Sequence, residues 1–237
     1  MIGNIKYSII LPYYKRMMQL EKTFCSFSTF YSLRNDFEVV LIVDPKTNEK
    51  EQNILNNICL GFSKIFCIRI ITADYGGVNI SNPCVAFNIG ANEAKGDYFI
   101  ISNPECLHTV DILKGLDNEF ENNSDVYVVC GCMSLGKDDS FHMWYQHSKH
   151  RNKGYHFCSA LSKKTYFDVG GFDERFKNGI SYDDDAFRDT LIKNGIEFVY
   201  RDDLLTHHQF HEKVRLGNPR KLLQVNKQIY NKFYGVF

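Results

Sequence analysis

The chain has 237 residues, of which 44% are hydrophobic and 24% are charged, so it has enough apolar residues to bury a core and is not expected to be disordered. Its 28 basic residues balance its 28 acidic residues, which excludes a global positive field for binding nucleic acid. This length suits one large α/β domain, so we predict a single domain over residues 1–237.

Apolar runs alternate with helical patterns through the first half of the chain. The runs with strand character cover residues 7–13, 37–44, 67–74, 97–102 and 126–133. The segments with helical patterning cover residues 17–31, 49–63, 85–94 and 109–122. Strands that are apolar throughout are typical of sheets covered on both faces, so the alternation predicts an α/β fold with a mostly parallel sheet. Ligands of such sheets bind beyond the carboxyl ends of the strands.

Polar and aromatic residues follow the first two predicted strands. The first strand ends in Pro12, Tyr13 and Tyr14, followed by Lys15 and Arg16, and the second ends at Asp44. A tyrosine such as Tyr13 can stack on a nucleobase, an aspartate can accept a hydrogen bond from it, and the cations can meet phosphate. Ordinary strand-end polarity explains these residues equally well.

The segment 82–105 predicts a helix that begins after a proline and a strand that ends in polar residues. Asn88 and Asn92 lie four residues apart and therefore share one helix face. Asn103 and Glu105 follow the strand and place an amide and a carboxylate at the sheet edge. The alternative is a capped turn that leads into the next helix. Further along, residues 138–156 have few apolar runs, and we interpret them as a surface loop near a site.

Three consecutive aspartates, Asp183, Asp184 and Asp185, form the densest acidic group in the chain. A helix N-terminus, where negative charge is favourable, explains them without a function. A general base held at an acceptor hydroxyl explains them equally well.

Histidines are concentrated near the end of the last β-like run. His208 and His211 lie three residues apart and could ligate one divalent cation together with Glu105, although polar packing accounts for them equally well. The basic, amphipathic segment 213–237 is interpreted as a helix that packs on the domain, or alternatively as a contact with an anionic membrane surface.

These segments, in this order, resemble the family 2 glycosyltransferases with the GT-A fold, including the branch with a galactosyltransferase-like C-terminal half. The resemblance extends from about residue 6 to about residue 211, and VGGFDE at 169–174 with SYDDDAF at 181–187 is its most specific part. It implies a nucleotide-binding half over about 1–105, an acceptor-binding half over about 106–212 and a basic tail over 213–237.

The resemblance also implies roles for individual residues. Asp184 is expected to be the catalytic base, with Asp183 as the acid preceding it and Asp185 as the fallback. The donor-binding residues are expected to be Pro12, Tyr13, Tyr14, Arg16, Asp44, Asn88 and Asn103. The acceptor side is expected to involve Gly171, Asp173 and Glu174, and a divalent metal, Mn²⁺ or Mg²⁺, is expected at Glu105, His208 and His211.

One departure from the family concerns the metal. The family carries an Asp-any-Asp motif after its fourth strand, whereas this chain has Asn103-Pro104-Glu105. Asparagine is a weaker ligand than aspartate, so three cases stay open: weak metal binding, binding through Glu105 alone, and no metal.

The implied activity is inverting transfer of a sugar from a nucleotide diphosphate, a UDP-sugar foremost, to a saccharide or lipid-linked saccharide in surface polysaccharide or glycolipid synthesis. An inactive sugar-nucleotide-binding or scaffolding protein is the alternative. A nucleotidyltransferase is disfavoured because no glycine-rich basic loop follows the first strand. Eight cysteines without a CxxC pair, and no apolar run of about 20 residues, predict a cytoplasmic protein. The resemblance adds peripheral contact with the inner membrane face as a further expectation.

Overall fold

The computed structural model describes residues 4–78, 80–212 and 217–235. The strands are β1 (Tyr7–Tyr13), β2 (Phe37–Val43), β3 (Cys67–Thr72), β4 (Tyr98–Ser102), β5 (Cys106–His108), β6 (Val126–Leu135), β7 (Phe141–Gln146), β8 (Cys158–Ser162) and β9 (Glu197–His208). The helices are α1 (Met17–Tyr31), α2 (Glu49–Phe62), α3 (Cys84–Glu93), α4 (Ile112–Asn122), α5 (Lys163–Asp168), α6 (Asp183–Lys193) and α7 (Pro219–Phe233), with a 3-10 helix at Glu174–Asn178.

All the described strands belong to one sheet, in the order β3-β2-β1-β4-β8-β6-β9-β5, with β7 paired to β6. The first four strands of this order run parallel, whereas β8 is antiparallel to both β4 and β6. The α/β fold expected from the sequence is confirmed. Because β1 lies between β2 and β4, the strand order reverses there, and the carboxyl ends of these three strands face a common crevice.

Helices cover both faces of the sheet, which is why β1 and β2 are buried almost throughout. Alternate β1 residues face opposite layers: Ile9 and Leu11 pack in the core that includes α1, and Ile10 packs in the core that includes α3. Gly90 lets α3 approach β1 closely, since a Cβ at position 90 would lie 2.4 Å from Ile10 Cγ2. This approach holds α3 against β1.

Segments 138–156 and 213–237 contain a strand and a helix, respectively. Residues 141–146 form strand β7, antiparallel to β6, so the interpretation of 138–156 as a loop is wrong for that part. Because β7 is exposed over its first three residues, it lacks the apolar run by which the other strands were recognised. The basic segment forms α7 and packs on the 3-10 helix, whereas residues 213–216 and 236–237 lie outside the described part.

Within the described ranges, none of the helices combines the length and the apolar character needed to cross a bilayer.

Candidate active site

A pocket of about 220 Å³ opens beyond the carboxyl ends of β1, β2 and β4, and we call it the strand-end pocket. Asp44 follows β2, and its backbone N–H donates to the carbonyl of Tyr13 at the end of β1, so the two strand ends are tied together. The residues that line the pocket are Pro12, Tyr13, Tyr14, Arg16, Ile42, Asp44, Tyr75, Ile80, Ser81, Asn82, Pro83, Ala86, Asn103, Pro104 and Glu105.

The strand-end pocket brings together all but one of the residues predicted to bind a donor. Tyr13 contributes to the lining, but its ring is buried and its hydroxyl donates to Glu51 at 2.9 Å. Tyr14 and Tyr75 are only partly buried and lie on the same lining. Base stacking, assigned to Tyr13 from the sequence, is therefore better suited to Tyr14 or Tyr75.

Asn88 is the exception, since it does not line the strand-end pocket. Its amide donates to the carbonyl of Phe172 and to Glu174, and its oxygen accepts from the Tyr166 hydroxyl and the Phe172 N–H. With its hydrogen-bonding groups engaged in this way, Asn88 holds the loop after α5 against α3. The donor-binding role predicted for Asn88 does not fit this position.

No sequence motif predicted the lining residues Tyr75, Ile80, Ser81 and Asn82. They belong to the connection between β3 and α3, which has no periodic pattern and reaches the pocket only through the fold. Asn82 alone had a signal, because an asparagine before Pro83 is a common turn residue. Its side-chain oxygen accepts from the Cys84 N–H at 2.9 Å.

Glu105, His208 and His211 form a group that we call the Glu–His triad. Antiparallel pairing of β5 with β9 sets Cys106 opposite His208, and the Gln209 N–H donates to the Glu105 carbonyl. The Nε2 atoms of His208 and His211 lie 3.5 and 3.4 Å from Glu105 Oε1. The structure thus brings together the three residues predicted as metal ligands.

Positive charge surrounds the Glu105 carboxylate. Burial raises the pKa of Glu105, but hydrogen bonds and charge from His208 and His211 outweigh that effect and hold the pKa well below its usual range. Arg16 Nε lies 3.9 Å from the same carboxylate oxygen and also lines the strand-end pocket. Glu105 is therefore ionised at neutral pH, as a cation ligand must be.

The Glu–His triad suits a divalent cation. One potential ligand atom from each of its three residues lies within 4.8 Å of the others. A set of one carboxylate and two imidazoles favours a transition metal such as Mn²⁺ over Mg²⁺, which prefers oxygen ligands. Asn103 lines the adjoining pocket and is not part of this group.

The acidic cluster, Asp183, Asp184 and Asp185, occupies the first turn of α6. Ser181 and Tyr182 precede it with φ angles of 60° and 68°, in the left-handed region that non-glycine residues rarely adopt. The Asn226 amide in α7 donates to the Ser181 carbonyl at 2.8 Å and braces this turn. Strained backbone of this kind is common at functional sites, where the surroundings hold it in place.

The three aspartates have different surroundings. Asp183 is buried and accepts a hydrogen bond of 2.7 Å from the Asn82 amide. Asp185 accepts from the Tyr155 hydroxyl and pairs with Arg188. In the part of the chain that the structure describes, the carboxylate of Asp184 accepts only the N–H of Asp185. Asp184 is therefore the one of the three whose carboxylate accepts no side-chain hydrogen bond from the described residues.

The surroundings of Asp184 also change its acidity. Burial and the charge of Asp183 raise the pKa of Asp184 to about 7, against a smaller opposing effect of His156. Burial likewise raises the pKa of Asp183, although the Asn82 hydrogen bond opposes it. A carboxylate that titrates near neutral pH is well matched to accept a proton from a hydroxyl.

The loop with Gly171, Asp173 and Glu174 lies next to α3. Gly171 has a φ of 67°, and a Cβ there would lie 2.7 Å from Asn88 Oδ1, so glycine is required by conformation and by space. Asp173 pairs with Arg175 and accepts from the Tyr234 hydroxyl. Glu174 is exposed. Gly171 and Asp173 thus shape and anchor the loop, and Glu174 is the acid left facing solvent.

The chain is similar to a known protein family in sequence and to solved structures in fold. A model of the family described as Glycosyl transferase family 2 matches residues 8–176. S. aureus TarS 1–349 in complex with UDP-GlcNAc has a TM-score of 0.71 and 14% identity, over 93% of this chain and 64% of that one. The mannosyltransferase PcManGT from Pyrobaculum calidifontis, in complex with GDP-Man and Mn²⁺, has a TM-score of 0.61 and 13% identity, over 91% of this chain and 59% of that one.

Comparison with characterised protein sequences gave no significant match. At these identities the structural likeness shows a common fold, and both solved proteins extend well beyond the part that this chain covers. The family model, in contrast, matches more than half of the chain. The chain therefore belongs to family 2 of the glycosyltransferases and has the GT-A fold.

Proposed function

We propose that this chain transfers a sugar from a nucleotide diphosphate to a hydroxyl group of a saccharide or lipid-linked saccharide. The observation that carries the proposal is the bridge from Asn82, which lines the strand-end pocket, to Asp183 in the acidic cluster. This hydrogen bond links the pocket that we propose for the nucleotide to the aspartates, of which Asp184 has its pKa raised to about 7. Family membership and solved neighbours bound to UDP-GlcNAc and GDP-Man support a nucleotide-sugar donor, and we favour a UDP-sugar.

The nucleotide occupies the strand-end pocket in this proposal. Tyr14 or Tyr75 stacks on the base, and Asp44 accepts a hydrogen bond from a base N–H. Arg16 and Glu105 both line this pocket, with Arg16 Nε 3.9 Å from Glu105 Oε1, and the Arg16 guanidinium can meet the diphosphate there. We assign donor recognition to the half up to about residue 105 and acceptor recognition to residues 106–212.

Asp184 is the proposed base. The acceptor hydroxyl gives its proton to the Asp184 carboxylate while its oxygen forms a bond to the anomeric carbon of the donor. The bond from that carbon to the diphosphate oxygen breaks, and the nucleotide diphosphate leaves with the electron pair. Attack opposite to the leaving group inverts the anomeric configuration.

The developing charge on the diphosphate needs a cation. A divalent metal held by Glu105, His208 and His211 would supply that charge when bound. Arg16 supplies a fixed positive charge at the same place.

The outer surface of α7 is suited to contact with a membrane that carries the acceptor. Arg220, Lys221, Lys227 and Lys232 are exposed there, and the helix has no acidic residue. Lys221 and Lys232 lie eleven residues apart, about three turns, and therefore share one face. We propose that this face meets an anionic lipid surface at the inner side of a membrane, in surface polysaccharide or glycolipid synthesis.

A donor screen tests the proposed function. The purified protein is heated with UDP-, GDP-, CMP- and dTDP-sugars, with and without Mn²⁺, and its Tm is recorded. We expect one nucleotide to raise the Tm, with calorimetry confirming its affinity, and that sugar nucleotide to be consumed when an acceptor is added. Failure of every nucleotide to bind would contradict the proposal, whereas binding without turnover would favour an inactive sugar-nucleotide-binding protein.

A further inference from the structure

Tyr145, Tyr155 and Phe157 form a continuous row, which we call the aromatic wall. The ring centroids of Tyr145 and Phe157 are 4.6 Å apart, and those of Tyr155 and Phe157 are 6.4 Å apart. All three side chains are partly buried. They come from β7 and the segment that follows it.

The aromatic wall joins the two chemical centres of the site. At one end the Tyr145 ring lies 4.7 Å from the ring of His208, a member of the Glu–His triad. At the other end the Tyr155 hydroxyl donates a hydrogen bond of 2.8 Å to Asp185 in the acidic cluster. Between them, the Phe157 carbonyl accepts from Ser102 at the end of β4. A molecule lying along the wall would therefore reach from the triad to the proposed base.

Arg151 provides a positive charge on this wall. Its guanidinium carbon lies 5.8 Å from the ring centroid of Tyr145 and 5.7 Å from that of Tyr155, and it donates to the Tyr145 carbonyl. The backbone of Arg151 is fixed by reciprocal hydrogen bonds with His147. The position of the guanidinium is thus defined by the fold.

Arg151 differs from Arg188 and Arg201 in having no carboxylate partner among the described residues. Arg188 pairs with Asp185 and Asp189, and Arg201 pairs with Glu119 and Asp203. Among the described residues, no carboxylate oxygen lies within 4.0 Å of an Arg151 nitrogen. A partly buried guanidinium without a counter-ion is well suited to bind an anion from outside the chain.

We propose that the aromatic wall and Arg151 form the acceptor subsite, and that the acceptor is a glycan that carries an anionic group, a phosphate or a carboxylate. The apolar faces of the sugar rings pack on Tyr145 and Phe157, since aromatic side chains offer broad apolar surface at such sites. The anionic group pairs with the Arg151 guanidinium. The reacting hydroxyl lies at the end of the aromatic wall that is nearest Asp184. This inference rests on the proposed function, because it names the acceptor of that reaction.

Arg151 lies outside the pocket that we propose for the donor. It does not line the strand-end pocket, which has Arg16 as its own arginine. The substitution Arg151→Gln keeps much of the side-chain length and removes the charge and the paired N–H donors of the guanidinium. Lys149→Gln is the matched control, since Lys149 lies two residues away in the same loop and is exposed.

The test measures retention of the labelled protein on an array of neutral, carboxylate-bearing and phosphate-bearing glycans. We expect the wild-type protein and Lys149→Gln to be retained on charged glycans and Arg151→Gln to bind them roughly tenfold more weakly or worse, with neutral glycans unaffected. The class of charged glycan that is retained distinguishes phosphate from carboxylate. Calorimetry with the nucleotide sugar should give the same affinity for all three proteins.

Several outcomes would overturn the inference. These are retention on neutral glycans alone, retention on no glycan, and equal retention of Arg151→Gln and wild type. A loss of nucleotide-sugar affinity in Arg151→Gln would instead assign Arg151 to the donor. Failure of the proposed function has a different signature, because the wild-type protein would then bind no nucleotide sugar in calorimetry.

Discussion

The Asn82 side-chain amide donates a hydrogen bond of 2.7 Å to Asp183 Oδ1 and so connects two parts of the chain that are 101 residues apart. Asn82 stands before α3, and Asp183 begins α6. The bond supplies a donor to a buried carboxylate that sits directly beside the proposed base. Asn82 is therefore a positioning residue in our interpretation, since it acts on Asp184 through Asp183.

Replacing Asn82 with alanine should weaken both the fold and the reaction. A buried acceptor left without its donor costs about 1–3 kcal/mol, so we expect a lower free energy of unfolding in chemical denaturation. The pKa of Asp183 should rise further, and kcat should fall more than nucleotide affinity. Asn92→Ala is the control, since Asn92 is an exposed amide in α3, the helix that follows Asn82. Equal stability and kcat in both variants would contradict the role of Asn82.

Asp184→Asn should abolish most of the turnover. Loss of a general base costs about 10²–10⁴-fold in rate, while nucleotide affinity measured by calorimetry should stay close to wild type. Asp185→Asn removes the partner of Tyr155 and Arg188 and should have the smaller effect on kcat. If Asp185→Asn proved the more damaging change, the base would have to be reassigned to Asp185.

The sequence could predict the strands that end at the site because each is an apolar run of ordinary length. Tyr14, Arg16 and Asp44 follow such runs directly, and they meet in one pocket. The sequence could not distinguish the three aspartates, since much of the difference arises from Asn82 and Tyr155, which lie in other segments. Local spacing carries no information on partners of this kind.

Asn88 and β7 show two further limits of prediction from sequence patterns. The helical spacing of Asn88 and Asn92 defines a shared face but not which surface it meets, and Asn88 meets the loop around Phe172. Strand β7 is half exposed and therefore lacks the apolar run that reveals a strand. In both cases the outcome depends on tertiary contacts with distant parts of the chain.

The pH dependence of the reaction should report Asp184. Its pKa is raised to about 7, and the base must be ionised, so we expect kcat/KM to rise about tenfold per pH unit below 7 and to level off above it. The charge of Asp183 contributes to that rise in pKa, so Asp183→Asn should move the inflection to lower pH. A profile that stays flat between about pH 5 and 8 would exclude Asp184 as the titrating base.

The stability of the folded protein should also depend on the ionisation of Asp184, but it should fall as the pH rises, whereas activity increases. Because the folded-state pKa of Asp184 lies above its unfolded value, ionisation opposes folding, so its contribution to stability is full below about pH 4 and is lost as the pH rises through 7. Asp184→Asn should therefore have a Tm that exceeds the wild-type value increasingly between pH 5 and 8. A Tm difference that is constant with pH would show that Asp184 is not titrating in this range.

The Glu–His triad should bind Mn²⁺ more tightly than Mg²⁺, because two of its three ligands are imidazoles. We expect His208→Gln and Glu105→Gln each to weaken Mn²⁺ binding in calorimetry by roughly tenfold or more. His207→Gln is the matched control, since His207 is adjacent on β9 and lies outside the triad. Equal Mn²⁺ affinity in the triad variants and the control would leave Arg16 as the cation at the diphosphate.

The outer face of α7 should bind anionic lipid through its exposed cations. Each lysine near such a surface contributes about 1 kcal/mol, so Lys221→Gln with Lys232→Gln should lower the vesicle partition coefficient by roughly 30-fold. Sedimentation with phosphatidylglycerol vesicles measures this, and the effect should shrink as salt is added, because screening weakens the attraction. Lys50→Gln with Lys64→Gln removes the same charge from exposed sites around α2 and should leave sedimentation nearly unchanged. Equal losses in the two double variants would show that net charge, and not α7, governs the interaction.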